Sequence, residues 1–295
     1  MLYDISLRIS YAYGNSAEAS RHIARLVPAD LPGEQRLVAG TLTASPKPDE
    51  WINITDFFGN RGVELGFDLP HTAISLSVQA RVDRHQRGVG LDVSPPLLQL
   101  AEEIAGYRSL DALAPHHFVG PSFRAPLDEA TTRYAREIVD NCGSALEAVK
   151  AIGLALHGDM VFDPDATTVD TPMQEAFERR IGVCQDFTHV MISCLRGVGI
   201  PAGYVSGFLR TIPPPGSERL EGADAMHAWV RAWCGADMGW VEFDPTNGML
   251  ANDDHIVVAR GRDYADVAPV KGVMRTAGSH TSTHSVDVIP VGDAA

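Results

Sequence analysis

Apolar and polar residues alternate along the first third of the chain, and this pattern predicts β-strands. Leu2, Ile5, Leu7 and Ile9 approximate an alternating strand, and Tyr11 and Tyr13 continue its period. Turn-like clusters at residues 30–33 and 45–49 and a hairpin signal at residues 59–60 separate the later runs. Those runs predict strands at Arg36–Ser45, Glu50–Asp56, Arg61–Phe67 and Ala73–Asp83. Short strands at this spacing favour an antiparallel β-sandwich or barrel over residues 1–93.

Residues 94–158 change to a helical pattern. Proline suits a first helical turn, so Pro96 predicts the start of a helix that reaches Tyr107. A second helix is predicted from Leu127 to Asn141. A third opens at Ser144, because Glu147 follows it at the spacing of a capping box. We therefore expect a helical connector after the amino-terminal strands.

A further helical repeat follows Cys184. The repeat predicts a buried amphipathic helix that closes at Gly199 and Pro201, and its apolar members are Phe187, Val190, Met191, Cys194, Leu195 and Val198. Cys184 would then lie at the helix amino terminus, where free N–H groups and the helix dipole favour an anion. A thiol ionises more readily there, and the thiolate is the nucleophilic form. Taken alone, however, a cysteine is more often a small buried residue.

Two aromatic-rich segments downstream predict neighbouring strands. His227 comes near the start of the first, and Asp244 ends the second just before a proline that stops it. Antiparallel neighbours of this kind can place the two side chains side by side. Cys184, His227 and Asp244 would then be a nucleophile, a base and the group that orients the base. Taken alone, His227 fits a strand histidine and Asp244 a turn residue.

The motifs around these residues resemble the bacterial transglutaminase-like proteins of the papain-like cysteine peptidase group. The matching segments are GVCQDF at 182–187, LRGVGIPAGYVSGFL at 195–209, MHAWV at 226–230, GWVEFDPTN at 239–247 and ARGRDYADVAPVKG at 259–272. Residues 56–60 are similar to the amino-terminal domain of that family. The resemblance implies Cys184 as nucleophile, His227 as general base and Asp244 as its orienting residue. It also implies that residues 259–272 pack near the active site.

Composition narrows the function classes further. The net charge of −14 and the pI near 5.1 argue against a nucleic-acid partner, because a phosphate-binding surface needs clustered Lys and Arg. No signal sequence and no apolar run of about 18 residues is visible, so we expect no membrane contact. The four cysteines lack metal-site or disulfide spacing. A cytoplasmic location is expected, since a free thiol nucleophile suits a reducing compartment.

We expect no metal and no cofactor. Acidic residues at 163–170 and 251–255 lack the spacing of a calcium loop, and solvated loops are the favoured interpretation. His116 and His117 have no carboxylate or cysteine companions that would make a metal site. A proline-rich segment at 213–222 precedes the His227 strand. A cover over the cleft and a plain solvent loop are both open for it.

Three functions remain open at this stage. The first is hydrolysis of a peptide or amide through a thioester, that is, a cysteine peptidase or amidase. The second is a protein-glutamine transglutaminase. Animal transglutaminases use a tryptophan upstream of the cysteine as an oxyanion donor, yet no tryptophan lies between Trp51 and Cys184. The third is a non-catalytic peptide-binding module. In each case the partner is a peptide or protein.

Taken together, the patterns predict an α+β chain with a papain-like transglutaminase core. The predicted domains are an amino-terminal antiparallel β domain over 1–93, a helical connector over 94–158, a catalytic core over 159–250, and strands over 251–295 that return to the body. In the core, the Cys184 helix is expected to pack against the sheet that carries His227 and Asp244.

Overall fold

The amino-terminal strands form as predicted. The structure, a computed structural model, describes residues 1–292 except 86, 87, 89, 212–221, 223 and 277. The first five strands are β1 (Leu2–Ala24), β2 (Gln35–Ser45), β3 (Glu50–Thr55), β4 (Arg61–Phe67) and β5 (His71–Arg84). The buried face of β1 begins with Tyr3 rather than Leu2, because the alternation of Ile5, Leu7 and Ile9 extends back to position 3.

The long first strand organises a seven-stranded antiparallel sheet. The order β2-β5-β1-β4-β3 has β1 at its centre, and two strands from the end of the chain also pair with β1. The pairing of β1 changes partner along its length: Leu2–Ala12 lies beside β5, and Ser20–Ala24 lies beside β4. A register shift between Ala12 and Ala17 separates the two halves, so one strand serves two parts of the sheet.

The end of the chain returns to this sheet. β13 (Val270–Arg275) pairs with the second half of β1, and β14 (His280–Pro290) pairs with the first half. The final strand is therefore longer than its apolar residues suggest, since its first six positions are exposed. Val286 and Val288 are fully buried and complete the sheet's packing face. The first and last parts of the sequence thus form one structural unit.

The helical region contains the three predicted helices. They are α1 (Leu97–Gly106), α2 (Glu129–Val139) and α3 (Ala145–Asp159), with a 3-10 turn at Pro115–Phe118. Ser144 Oγ accepts the Glu147 backbone N–H at 3.1 Å, and the Glu147 carboxylate accepts the Gly143 N–H at 2.8 Å. The helix start is therefore capped as predicted, except that the Glu147 carboxylate accepts the N–H of Gly143 and not that of Ser144. Gly153 of α3 lies against Phe243, where a Cβ would meet the ring at 2.2 Å.

A second sheet carries the candidate site. Its strands are β8 (Ala202–Leu209), β9 (Ala225–Trp233), β10 (Trp240–Asp244), β11 (Met249–Leu250) and β12 (His255–Gly261), in the order β11-β10-β9-β8-β12. Helix α5 (Cys184–Gly197) packs on β8 and β9. Five of its apolar repeat residues are buried as the sequence predicts, namely Phe187, Val190, Met191, Cys194 and Leu195. The sixth, Val198, follows the end of the helix and is half-buried. The remaining elements are α4 (Met173–Arg179), α6 (Tyr264–Val267) and the short parallel pair β6 (Val161–Phe162) and β7 (Ile181–Gly182).

Side-chain amides from the amino-terminal domain pair with β12, the last strand of the second sheet. Gln35 Nε2 donates to the Val257 carbonyl at 2.8 Å, and its Oε1 accepts the Val257 N–H at 2.9 Å. Asn60 repeats the arrangement at Arg260, with distances of 2.7 and 2.8 Å. Each amide pairs with one donor and one acceptor of this edge strand, and the Val257 carbonyl also accepts the Ala29 N–H at 2.9 Å. The two sheets are joined through these contacts. No helix in the described ranges has the length and apolarity needed to cross a membrane.

Candidate active site

Cys184 is the first residue of α5, and a buried carboxylate shapes the turn that precedes it. Asp186 Oδ2 accepts the Val183 N–H at 2.8 Å and the Thr167 hydroxyl at 2.6 Å. The side chain of Asp186 folds back over Gly182, where a Cβ would lie 2.5 Å from Oδ2. Glycine at 182 therefore makes room for the carboxylate that holds the helix start. Burial raises the pKa of Asp186, although its two hydrogen bonds oppose the shift.

His227 and Asp244 lie on two adjacent strands that place them in contact. His227 is the third residue of β9, and Asp244 is the last residue of β10. His227 Nε2 lies 2.7 Å from Asp244 Oδ2, and both side chains are buried. A carboxylate only accepts hydrogen bonds, so Nε2 must carry the proton. The second ring nitrogen, Nδ1, is then free to face another group.

That other group is the thiol of Cys184. Burial by itself would lower the pKa of His227, but hydrogen bonds to Asp244 and Cys184 and the electrostatic interaction with both groups raise it to about 10. Since Nε2 is occupied by Asp244, Nδ1 is the nitrogen that faces sulfur. The structure thus brings together Cys184, His227 and Asp244, the three residues singled out in the sequence. In this tautomer the His227 imidazole can receive a proton from the thiol, and the Asp244 carboxylate fixes the orientation of the ring.

Asp244 is surrounded by donors. Its Oδ1 accepts the backbone N–H groups of Thr246 and Asn247 at 2.9 and 3.1 Å. Its Oδ2 accepts Asn247 Nδ2 at 2.7 Å and His255 Nε2 at 3.1 Å, in addition to His227. Burial would raise the pKa of Asp244, but the hydrogen bonds from His227 and His255 hold it well below its usual range. Asp244 is therefore an ionised hydrogen-bond acceptor near neutral pH.

Asn247 and His255 belong to this arrangement, and sequence reasoning did not find either of them. Asn247 ends the GWVEFDPTN segment, so its proximity to Asp244 was a readable signal. His255 is the last residue of the acidic stretch 251–255, for which the sequence predicts a solvated loop. That interpretation is wrong for His255, which is 1% exposed, and for Asp254, which accepts hydrogen bonds from Tyr3 and Arg210. The pairing of β12 with β8, which no local pattern reveals, buries the histidine.

A fully buried tryptophan lies behind the two histidines. The Trp229 ring packs against His227 with 6.1 Å between centroids and against His255 with 5.1 Å. Its Nε1 donates to Glu242 at 2.8 Å, and Glu242 in turn forms an ion pair with Arg260. Burial would raise the pKa of Glu242, but the positive charges of three surrounding arginines keep it low. Trp229 thus forms a rigid wall that restricts both imidazole rings.

The same residues are the ones to consider for a metal. Within the described part of the chain, His227, Asp244 and His255 form the group of three whose ligand atoms all lie within 4.8 Å of one another. The separations of 2.7 and 3.1 Å from Asp244 Oδ2 are hydrogen-bond lengths. Both imidazoles direct a protonated nitrogen at the carboxylate. The arrangement is therefore accounted for by hydrogen bonding alone.

The other cysteines and the helix histidine do not join the site. Burial raises the pKa of the Cys194 thiol and raises that of Cys234 to about 12, so both are unreactive packing residues. His189, on α5, is buried and accepts the Tyr264 N–H at its Nε2, at 3.2 Å. Burial lowers the pKa of His189. The proline-rich segment at 213–222 lies outside the described residues except for Gly222.

Comparison with known proteins agrees with this architecture. Residues 132–245 match the transglutaminase-like superfamily, and residues 3–83 match the bacterial transglutaminase-like N-terminal region. The chain belongs to the bacterial transglutaminase-like family. It is 34% identical to the protein Rv2569c of Mycobacterium tuberculosis, over 99% of this chain and 94% of that one. It is 29% identical to ML0607 of Mycobacterium leprae, over 91% of both chains.

A solved structure shows the same fold. It is a crystal structure from Cytophaga hutchinsonii, described as that of a candidate cysteine protease. The TM-score is 0.77 at 22% identity, and the match covers 99% of this chain and 91% of the other. The whole arrangement of an amino-terminal β region, helices and transglutaminase-like core therefore recurs in another protein. The α+β fold expected from the sequence is confirmed.

Proposed function

We propose that this protein is a thiol-dependent hydrolase of peptide or amide bonds. The observation that carries the proposal is the unbroken contact from Cys184 through His227 to Asp244, at the start of a buried helix. A non-catalytic binder would have no need of an ionised carboxylate buried behind a histidine that faces a thiol. The fold shared with a candidate cysteine protease is in keeping with this assignment.

The proposed reaction has two halves. His227 Nδ1 takes the thiol proton, and the thiolate attacks the carbonyl carbon of the amide. The tetrahedral intermediate collapses when the C–N bond breaks, and the leaving amine takes the proton from His227. Water then attacks the thioester as His227 accepts its proton, and the C–S bond breaks to release the acid and the thiol. Asp244 keeps the imidazole oriented through both halves.

The developing oxyanion requires hydrogen-bond donors. Helix α5 begins at Cys184, and the first N–H groups of a helix have no intrahelical partner. We assign the Cys184 N–H as one donor, because it lies next to the sulfur that attacks. The lack of a tryptophan between Trp51 and Cys184 favours water over an amine as the second nucleophile.

The partner is proposed to be a peptide or protein, and the cytoplasm is the proposed compartment.

Two measurements test the proposal. Iodoacetamide near neutral pH is expected to modify Cys184 faster than the other three thiols of the folded protein, and H227A should abolish this preference. Peptide amides should be cleaved by the wild type and not by C184A. C142A is the matched control, since Cys142 is also half-buried but its thiol donates to the Ile138 carbonyl. Labelling of Cys184 at the rate of a denatured thiol, with no cleavage, would favour the peptide-binding module.

The transglutaminase alternative has its own readout. A glutamine peptide would release ammonia in either reaction, because the same thioester forms. An added primary amine would be incorporated into the peptide by a transglutaminase, whereas a hydrolase yields glutamate. Mass spectrometry separates the two products. Amine incorporation that exceeds hydrolysis would replace the proposed second half-reaction and leave the first unchanged.

A further inference from the structure

A second histidine donates to the carboxylate of the proposed active site. His255 is the first residue of β12, on the far side of the sheet order from β10, and its side chain is 1% exposed. Its Nε2 lies 3.1 Å from Asp244 Oδ2, the same oxygen that His227 contacts. Since Asp244 stays ionised, both histidines direct an N–H at it. His255 thus approaches the carboxylate from a different strand than His227 does.

The other edge of His255 is also held. Its Nδ1 lies 3.1 Å from the Asn252 backbone nitrogen and 3.0 Å from the Asn252 side-chain oxygen. The same Asn252 oxygen accepts the Asp254 N–H at 2.9 Å, which closes a tight turn before β12. The ring is therefore fixed at both nitrogens and packed against Trp229. A side chain anchored in this way can fix the position of the group it donates to.

The donors on Asp244 exceed the usual capacity of a carboxylate. Five N–H groups converge on it, whereas a carboxylate offers about four lone-pair sites. Three of the five come from the turn after β10, and the other two come from His227 on β9 and His255 on β12. His255 comes from the strand farther from β10 in the sheet order, so its hydrogen bond opposes rotation of the carboxylate about its own turn.

We propose that His255 is a positioning residue that holds Asp244 in the orientation in which it contacts His227. This inference rests on the proposed role of Cys184, His227 and Asp244. Loss of the His255 donor would let the Asp244 carboxylate turn, so that His227 would spend less time aligned with the thiol. The consequence is a slower reaction of Cys184 with little change in substrate binding.

Two substitutions test the contacts of the two ring nitrogens of His255 individually. In H255Q the amide reaches the position of Nε2, so a donor to Asp244 is retained. In H255N the shorter amide reaches only the position of Nδ1, so the contact with Asn252 is retained and the donor is lost. H22N is the control, because His22 is comparably buried in the amino-terminal sheet and distant in sequence from the site.

The readout is the rate of Cys184 alkylation by iodoacetamide, which needs no knowledge of the substrate. We expect H255N to slow alkylation about 10-fold, a loss of one charge-assisted hydrogen bond, and H255Q to recover most of this loss. H22N should match the wild type. With a cleavable peptide amide, H255N should lower kcat and leave KM unchanged. Equal slowing in H255Q and H255N, or slowing in neither, would overturn the inference.

A spectroscopic measurement on the wild type covers the case in which the variants do not fold. Long-range proton–nitrogen NMR of histidine-labelled protein near neutral pH should show His255 and His227 protonated at Nε2. A His255 ring protonated only at Nδ1 would refute the inference. If the alkylation pattern holds while no peptide amide is cleaved, hydrolysis fails as the function and the positioning role of His255 stands.

Discussion

Asp244 is the residue on which the electrostatics of the site depend. It is fully buried, yet the hydrogen bonds it receives keep it ionised. Its charge is one of the causes that raise the pKa of His227. The imidazolium that would donate to the leaving amine in the proposed reaction is thus stabilised. A neutral amide at position 244 would remove this charge without changing the size of the side chain.

We expect D244N to lower the alkylation rate of Cys184 by about 100-fold, a typical contribution of an acid–base partner. The alkaline limit of activity should also move to lower pH, because the carboxylate that raises the pKa of His227 is gone. The alkylation rate of Cys184 checks the first effect, and the rate of peptide-amide cleavage measured from neutral to alkaline pH checks the second. D287N, which changes a carboxylate of β14, should leave the profile where it is. An alkaline pH limit that is the same in D244N and the wild type would contradict the claim that Asp244 raises the pKa of His227.

The same pair makes stability depend on pH. The pKa of His227 is raised from 6.5 to about 10, so its interaction with Asp244 stabilises the fold fully below about pH 6.5 and is lost as pH rises through about 10. The pKa of Asp244 is lowered, so the stability contributed by its ionised form is present above about pH 4 and is lost on acidification. The difference in Tm between wild type and D244N should therefore be largest between about pH 4 and 6.5. Thermal unfolding across pH measures it, and a difference that grows toward alkaline pH would count against it.

Gly182 makes a separate prediction at the residue scale. A methyl group there would meet the Asp186 carboxylate, whose contact with Val183 holds the start of α5. We expect G182A to lower Cys184 reactivity by about 100-fold, since small displacements of reacting groups have effects of this size. G158A is the matched control, because a Cβ at Gly158 meets nothing within 4 Å. Equal alkylation rates in the two variants would show that the turn tolerates the methyl group.

At the scale of elements, β12 connects the two sheets. One of its residues, Val257, is bonded through both its N–H and its carbonyl to the amide of Gln35. The strand begins with His255, which contacts Asp244. The amino-terminal domain therefore supports the strand from which the proposed positioning residue projects.

We expect Q35A to destabilise the protein by about 1–3 kcal/mol, because the Val257 N–H and the Ala29 carbonyl would lose the Gln35 amide as their hydrogen-bond partner. Q79A replaces an exposed glutamine of β5 and should change the free energy of unfolding by less than about 0.5 kcal/mol. Denaturant unfolding of both variants measures the difference. If Q35A and Q79A are equally stable, the amide does not hold the strand.

The sequence predicted these elements unevenly. The helix after Cys184 and the strands of His227 and Asp244 were readable, because apolar spacing depends on local geometry. The start of β14 was not, since its first six residues are polar and exposed. They form a strand because β1 offers an unpaired edge beside them, and pairing with a distant strand leaves no local signal.

At the scale of the whole molecule, both ends of the chain meet in one sheet. β1 pairs with β13 and β14, which follow the second sheet in the sequence. Asp224, just before β9, accepts the Val288 N–H at 2.6 Å and so links this sheet to the His227 strand. The domain boundaries at 93, 158 and 250 stay a prediction. The contacts of β1 with β13 and β14, and of Asp224 with Val288, join segments on different sides of these boundaries.

A chain that begins at residue 94 should therefore fail to fold cooperatively, because β13 and β14 would lose their partner and β12 would lose its amide contacts. Circular dichroism during thermal unfolding should show no sharp transition for this fragment. Adding a fragment of residues 1–93 should restore the transition and the reactivity of Cys184. A sharp transition in residues 94–295 alone would mean that the second sheet is stable without the first.

The amino-acid sequence by itself determined the start of the Cys184 helix, the two strands with His227 and Asp244, and the family resemblance. The helix and the two strands depend on neighbours within about ten residues, where side-chain period and turn chemistry act, and the resemblance depends on motifs of similar length. Only the tertiary structure decided that His255 faces Asp244, that Gln35 and Asn60 hold β12, and that the last strands join the first. Such contacts join residues far apart in the chain, and they form because burial requires every polar group to find a partner.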